Sequence, residues 1–308
     1  MADRSFDTVV IGGGVAGLTA ALFAVRGGCS TLALVPDIPG GQLATIDRVE
    51  DFPGFLDGVA GYELGPTIQE QAANAGAEFQ MAEAQSLEAR GGGWLVATGD
   101  GEIETKSVII ATGSRPRALG VPGEERLHGR GVSHCASCDG PLLRGKAVVV
   151  VGAGDSGLQE ALTLAGFASE VLVVHRSAAP TAQEAYRRRV RECPNIRLQG
   201  NTVVDEILGG DVVAGARVRA LGTGESSALE AAGVFIYVGL EPNTWFLRDT
   251  LRLDETGHIP TDIWMRTDLP GVFAVGDVRA DSASQAIAAA GDGATAAIAA
   301  RRYLGGLL

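Results

Sequence analysis

One pattern occurs twice in this chain and restricts its fold more than any other feature. Phe6 to Ile11 is a short apolar run rich in β-branched residues. It enters Gly12-Gly13-Gly14-Val15-Ala16-Gly17, continues as a helical stretch from Leu18 to Arg26, and returns to an apolar run at Thr31 to Val35. Downstream the succession repeats: an apolar run from Lys146 to Val151, the turn Gly152-Ala153-Gly154-Asp155-Ser156-Gly157, a helical stretch from Leu158 to Phe167, and a strand from Glu170 to His175. In such a turn the first glycine permits the tight reversal and the second lets the backbone approach a pyrophosphate. The third lets the helix pack on the strand, and the helix amino terminus faces the phosphate. A lone Gly-x-Gly-x-x-Gly is weak evidence and can be a mere packing turn; the strand-turn-helix context strengthens it. The first copy lacks the acid that usually closes the second strand to hold a ribose. Val35 stands there, and Asp37 comes two residues late.

Between the two turns lies Cys135-Ala136-Ser137-Cys138-Asp139-Gly140. Cysteines at this spacing can close a small disulfide ring. One thiolate attacks an outside disulfide and the other resolves the mixed disulfide. Asp139 is positioned in sequence to move the proton each thiol gains or loses. The alternatives are half of a zinc site or a structural pair. Zinc needs a second Cys or His pair at matching spacing, whereas Cys29 and Cys193 are isolated and the four histidines are scattered. The reading therefore expects no metal.

At 308 residues the chain has length for about two domains. Its 44 glycines follow no fixed period, which excludes collagen-like and low-complexity classes. A net charge of −12 argues against nucleic acid and anionic membrane surfaces. Four cysteines are too few for a disulfide-stapled secreted protein. Met1 to Asp7 is charged and runs straight into a strand, so no signal peptide is expected. The apolar stretch from Ala283 to Ala300 is interrupted by Gly291, Asp292 and Gly293 and is too polar to span a bilayer. A soluble, cytoplasmic protein is expected.

Gly40-Gly41-Gln42-Leu43 and Glu50 to Phe55 read as loops, by pattern alone plain connections. Tyr62 to Ala75 reads as a surface helix. Ala77 to Gln80, Trp94 to Ala97 and Ile103 to Lys106 read as a small meander, and Ser107 to Ala111 as a buried strand closing on Thr112-Gly113. Ser114 to Gly123, with two prolines, is the best candidate linker, and Gly239 to Thr244 a return linker. Gly271 to Asp277, a strand ending in Gly276-Asp277, and a final helix then complete the first domain. Asp277 is either a polyol-holding carboxylate or an ordinary turn residue; pattern alone leaves this open. The expected fold is α/β, with two Rossmann-like dinucleotide-binding domains, the second inserted into the first. The expected domains are 1–115 with 244–308, and 116–243.

These elements together, with Ala111-Thr112-Gly113, Pro242-Asn243-Thr244 and Phe273 to Asp277, resemble the low-molecular-weight thioredoxin reductases over essentially the full length and in the same order. A dithiol just before the second nucleotide unit separates this group from the larger disulfide reductases. The resemblance implies that the split domain binds FAD and the inserted domain NADPH. It implies that Gly12, Gly14, Gly17, Gly41, Gln42, Thr112, Gly113, Gly276, Asp277, Gln285 and Ala286 line FAD. It further implies that Gly152, Gly154, Gly157, His175 and Arg176 belong to the nicotinamide-nucleotide site. Cys138 then faces the flavin, Cys135 attacks the substrate disulfide and Asp139 is the acid-base. The implied partner is a thioredoxin-like protein or a small disulfide or dithiol, and the implied assembly is a homodimer.

Four positions depart from the family pattern. The phosphate-binding segment His-Arg-Arg, with a further Arg four residues on, is here His175-Arg176-Ser177 with Thr181. Two guanidiniums suited to bidentate phosphate contact are thus missing. Arg187, Arg188 and Arg189 are either replacements or a solvated helix face. Gly157 replaces an alanine, Pro141-Leu142 replaces an aromatic pair that helps hold thioredoxin, and Ser284 replaces an Arg before Gln285-Ala286. The main expectation is electron flow from NADPH through FAD and the Cys135–Cys138 pair to a protein disulfide. The alternative is an NADPH-independent relative, either a ferredoxin-linked disulfide reductase or a flavin-dependent dithiol oxidase. A flavin-binding scaffold with vestigial redox chemistry is the reading from another class, and the intact dithiol with Asp139 argues against it.

Overall fold

The computed structural model describes residues 5–307. The chain divides into two compact units, one running up to Arg115 and resuming at Glu241, the other spanning Pro116–Leu240.

In the first unit, strand Ser5–Ile11 lies between Thr31–Leu34 and Gly101–Ile110, parallel to both. Val9 and Val10 are fully buried although they point to opposite faces. This explains the uninterrupted apolar run: a parallel sheet covered on both sides has no solvent face. Glu78–Gln80 extends the sheet in parallel beyond Thr31–Leu34, and Val272–Ala274 pairs in parallel with the end of Gly101–Ile110. Helices Val15–Arg26 and Ala286–Leu304 cover one face with a core of small residues that includes Ala20, Ala24, Ala296 and Ala300. Leu32, Leu34, Leu87 and Val96 belong to a second cluster.

The strands differ from the sequence reading in two respects. Ile103–Lys106 and Ser107–Ala111 are one strand, Gly101–Ile110, whose early residues alternate exposed and buried while the last four are all buried. Its first half pairs antiparallel with Gly93–Thr98 and its end pairs with Val272–Ala274. One strand with two environments mimics two strands in the hydrophobic pattern. The meander is completed by Ala84–Arg90, which pairs with Gly93–Thr98, and not by residues 77–80, which sit at the far edge of the sheet.

The second unit is built on a parallel sheet in the order Ile196–Gln199, Glu170–Val174, Ala147–Val151, Gly233–Ile236, Val132–Ser133. Helices Asp155–Ala165 and Glu184–Glu192 pack on a cluster that includes Val148, Val150, Val171 and Phe235. An antiparallel meander of Thr202–Gly209, Val213–Ala220 and Ser226–Glu230 supplies much of another cluster, with Val149 and Ile236.

Candidate functional site

The central strand of the first unit is flanked on both sides by parallel partners, so the crevice beyond its carboxyl end lies where the strand order reverses, the usual ligand position in such sheets. The turn at that end is shaped by the protein's own backbone. Gly12 has φ +123°, and a Cβ there would lie 2.2 Å from the Ala111 carbonyl oxygen. A Cβ on Gly17 would lie 2.1 Å from the Gly12 carbonyl oxygen. Gly14 differs, because a Cβ there would meet nothing within 4 Å. The outer glycines are thus required by packing. The middle one faces open space at the amino terminus of helix Val15–Arg26, which no side chain caps. That is the space a pyrophosphate needs.

Other sequence candidates converge on the same strand ends. Gln42, on the short turn Gly41–Thr45, donates to Ser114 Oγ at 3.0 Å. Ser114 also hydrogen-bonds Asp277, which accepts from Ser282 Oγ at 3.2 Å. Burial pushes the Asp277 carboxyl above its usual range, against the lowering effect of those two hydroxyls. Thr112 Oγ1 donates to the Asn243 carbonyl at 2.8 Å, and Asn243 Nδ2 donates back to the Thr112 carbonyl at 3.0 Å. Gly113 accepts from the Asn243 N–H at 3.0 Å. Gln285 occupies the position before helix Ala286–Leu304, without a side-chain capping hydrogen bond to it, and is half-buried. Val35 packs against the turn, its Cγ1 2.3 Å from where a Gly13 Cβ would stand, while Asp37 is exposed and accepts from the Ile38 N–H.

A supporting pair here had no signal in the sequence. Asp292 is buried, accepts from the Gly276 N–H at 3.1 Å and from Arg279 Nε at 2.6 Å, and so anchors the Gly276-Asp277 turn. Beside it, a Cβ on Gly293 would lie 2.2 Å from the Ala16 carbonyl, so this glycine permits close helix crossing.

The second unit repeats the glycine logic. A Cβ on Gly152 would lie 2.0 Å from the Tyr237 carbonyl oxygen and one on Gly157 2.3 Å from the Gly152 carbonyl oxygen. Around Gly154 the nearest atom to an added Cβ is Thr181 Oγ1, at 3.8 Å. The strand Glu170–Val174 leads to His175, which is buried with Nδ1 3.4 Å from Ser177 Oγ. Burial pushes the His175 imidazole down toward its neutral form. Arg176 is exposed. On the following helix Glu184 already binds Arg187, at 2.6 Å, and Arg191.

The dithiol follows the edge strand Val132–Ser133 of this sheet. Cys135 and Cys138 are joined as a disulfide with S–S 2.06 Å. Cys135 caps the short helix Ala136–Asp139, and its Sγ accepts from the Cys138 N–H at 3.2 Å. Ser133 Oγ accepts from the Cys135 N–H at 3.0 Å, and Ser137 Oγ lies 3.4 Å from Cys135 Sγ. Cys135 is half-buried, Cys138 exposed and Asp139 half-buried. Glu160 enters from helix Asp155–Ala165 and accepts from the Ala136 N–H at 3.0 Å. The Tyr237 hydroxyl donates to the same Glu160 oxygen at 3.5 Å.

Residues 6–293 match the family of pyridine nucleotide-disulphide oxidoreductases. The thioredoxin reductase of Treponema pallidum is 39% identical over 302 residues, covering 98% of both chains. The chain belongs to the low-molecular-weight thioredoxin reductases. The crystal structure of the Lactococcus lactis thioredoxin reductase superposes with a TM-score of 0.96 at 40% identity, covering 98% of this chain and 100% of that one. The T. acidophilum thioredoxin reductase gives a TM-score of 0.93 at 38% identity over 97% and 98% of the two chains. Within this family the fold of two Rossmann-like domains is the expected one, and no helix among the described residues is long and apolar enough to cross a membrane.

Proposed function

We propose that this thioredoxin reductase homologue is an FAD-dependent dithiol/disulfide oxidoreductase, taking electrons from NADPH and delivering them to a thioredoxin-like protein disulfide. The observation that carries the reading is a closed Cys135–Cys138 disulfide in a chain with two glycine turns, each with an unfilled middle glycine. FAD, when bound, supplies the two-electron carrier between nicotinamide and dithiol. In this reading the unit that ends at Arg115 and resumes at Glu241, three residues before the sequence boundary at 244, forms the FAD domain, and Pro116–Leu240 the nicotinamide domain. The open backbone at Gly14 and the Val15–Arg26 helix end receive the pyrophosphate. Gln42, Thr112, Gly113, Asp277 and Gln285 hold the rest of the flavin nucleotide, with Gly12, Gly17, Gly41, Gly276 and Ala286 shaping the backbone around it. Asp277, already bonded by Ser114 and Ser282, offers its carboxyl to a polyol hydroxyl. Gly152, Gly154, Gly157, His175 and Arg176 form the nicotinamide-nucleotide site.

The chemistry at the dithiol balances without further parts. Once the pair is reduced, Asp139 accepts the Cys135 proton. The Cys135 thiolate attacks one sulfur of the substrate disulfide and expels the other as a thiolate. The expelled thiolate takes that proton from Asp139, which then accepts the Cys138 proton. The Cys138 thiolate attacks Cys135 Sγ in the mixed disulfide, releases the second substrate thiolate, which takes up this second proton, and restores the Cys135–Cys138 bond. The family likeness supports a cytoplasmic homodimer.

Anaerobic mixing with NADPH and a thioredoxin tests the reading. NADPH should bleach the flavin band, and Cys138→Ser and Cys135→Ser should each keep FAD but lose disulfide turnover. Substantial turnover by either variant sinks the assignment. Ser177 and Thr181 favour a second reading, an NADPH-independent relative. A flavin that ignores NADPH but is reduced by dithiols or ferredoxin selects it.

A further inference from the structure

The catalytic reading leaves unused the carboxylate beneath the dithiol turn. Glu160 sits one helical turn beyond Gly157, on the helix that opens the second glycine turn. Its Oε2 lies 3.0 Å from the N–H of Ala136, the residue directly after Cys135. The Tyr237 hydroxyl donates to the same oxygen and also bonds the Ala136 N–H. Tyr237 follows strand Gly233–Ile236, so three distant segments meet at one peptide N–H. Burial, then the charge of Glu160, push the Tyr237 phenol well above its usual range, so it stays a neutral donor.

We propose that Glu160 is a positioning residue for the dithiol: it pins the first N–H of the Cys135–Cys138 turn and, as a fixed negative charge one residue from Cys135, holds that sulfur in its thiol form. The first effect keeps the Cys138 N–H aimed at Cys135 Sγ. The second keeps the attacking sulfur unreactive toward adventitious oxidants until Asp139 removes its proton. Other titratable groups that face the turn include Asp139 itself, Tyr237, and His134, whose Nδ1 is 2.9 Å from the Ile236 carbonyl, with the His128 ring tilted against it at 6.2 Å. Among these named groups the carboxylates of Glu160 and Asp139 are the formal anions. The functional sense depends on Cys135 being the attacking sulfur; the ionisation itself does not.

The test uses the full chain with its flavin, reduced by dithiothreitol and desalted without oxygen. Iodoacetamide labelling across pH, with fragment-ion sequencing to separate Cys135 from Cys138 on their shared peptide and from Cys29 and Cys193, gives the Cys135 ionisation midpoint. Glu160→Gln keeps the shape, an oxygen for Ala136 and an amide donor for Tyr237. It should lower the midpoint by about one pH unit, the low end for removing a close like charge. Peroxide oxidation of Cys135 at neutral pH should then quicken about threefold, because about tenfold more thiolate is offset by its lower nucleophilicity. Tyr237→Phe, which keeps the charge and loosens the turn, should not lower the midpoint. Glu160→Asp, with the charge withdrawn by one methylene, should give a smaller shift of the same sign and serves if the Gln variant does not fold. An unchanged midpoint in the Glu160 variants overturns the proposal, as does an equal fall in Tyr237→Phe. Loss of disulfide turnover without loss of this shift leaves it standing, so its failure is distinct from failure of the proposed function.

Discussion

Replacing Ser177 and Thr181 together by arginine should turn a weak NADPH binder into a strong one. Ser177 is half-buried against His175, and Thr181 lies exposed beside Gly154, where the second turn leaves room for a nucleotide. Arg176 is exposed in the same segment. On the next helix Arg187 and Arg191 are engaged by Glu184. A hydrogen bond to a charged group is worth about 1.5–3 kcal/mol when its partner is desolvated. At this exposed lip the lower figure applies, so two added arginines should contribute about 3 kcal/mol, on the order of a hundredfold in affinity. NADH lacks the phosphate, and its constant should stay within about threefold, less than 1 kcal/mol. The assay is anaerobic rapid mixing, following loss of the flavin band against each nucleotide. The reasoning is refuted if the parent already binds NADPH at micromolar levels and the double variant gains nothing. Arg187 to Arg189 would then be the first alternatives. If neither form is reduced by either nucleotide, the NADPH-independent reading stands instead.

Asp139→Asn keeps the shape and removes the proton acceptor; disulfide turnover should fall by about 10²–10⁴, and a rate within about threefold of the parent would make Asp139 a turn residue only. Burial raises the Asp277 carboxyl, so the folded state binds its proton more tightly than the unfolded chain, and stability is lost as pH rises from the unfolded value toward the folded one. Asp277→Asn should therefore stabilise the flavin-free protein at neutral pH more than at acidic pH in urea melts, while weakening FAD retention. Gly14→Ala and Gly17→Ala should separate binding from folding. The first adds a methyl into open space and should change stability by about 0.5 kcal/mol or less while lowering FAD occupancy. The second forces a backbone contact at 2.1 Å and should cost about 1–3 kcal/mol or more, visible as a lower urea midpoint.

The glycine turns, the parallel strands beside them and the dithiol were legible from residues alone because their constraints are local. A positive φ, a close strand–helix approach and a two-residue thiol spacing all lie within six consecutive positions. The flanking apolar runs needed no solvent face, since both sides of each strand are covered. Other features depended on which residues meet across the chain. Asp292 read as a polar break in an apolar run, yet its partners, Gly276 and Arg279, make it the anchor of the Asp277 turn. Glu160 lies unmarked in the helical stretch from Leu158 to Phe167, and its role comes from Ala136 and Tyr237, 24 and 77 positions away. Gly101–Ile110 read as two strands because its neighbour along one edge changes midway. In each case a buried polar group or a strand edge takes its meaning from its partner. The local pattern marks the group, and only the tertiary fold supplies the partner.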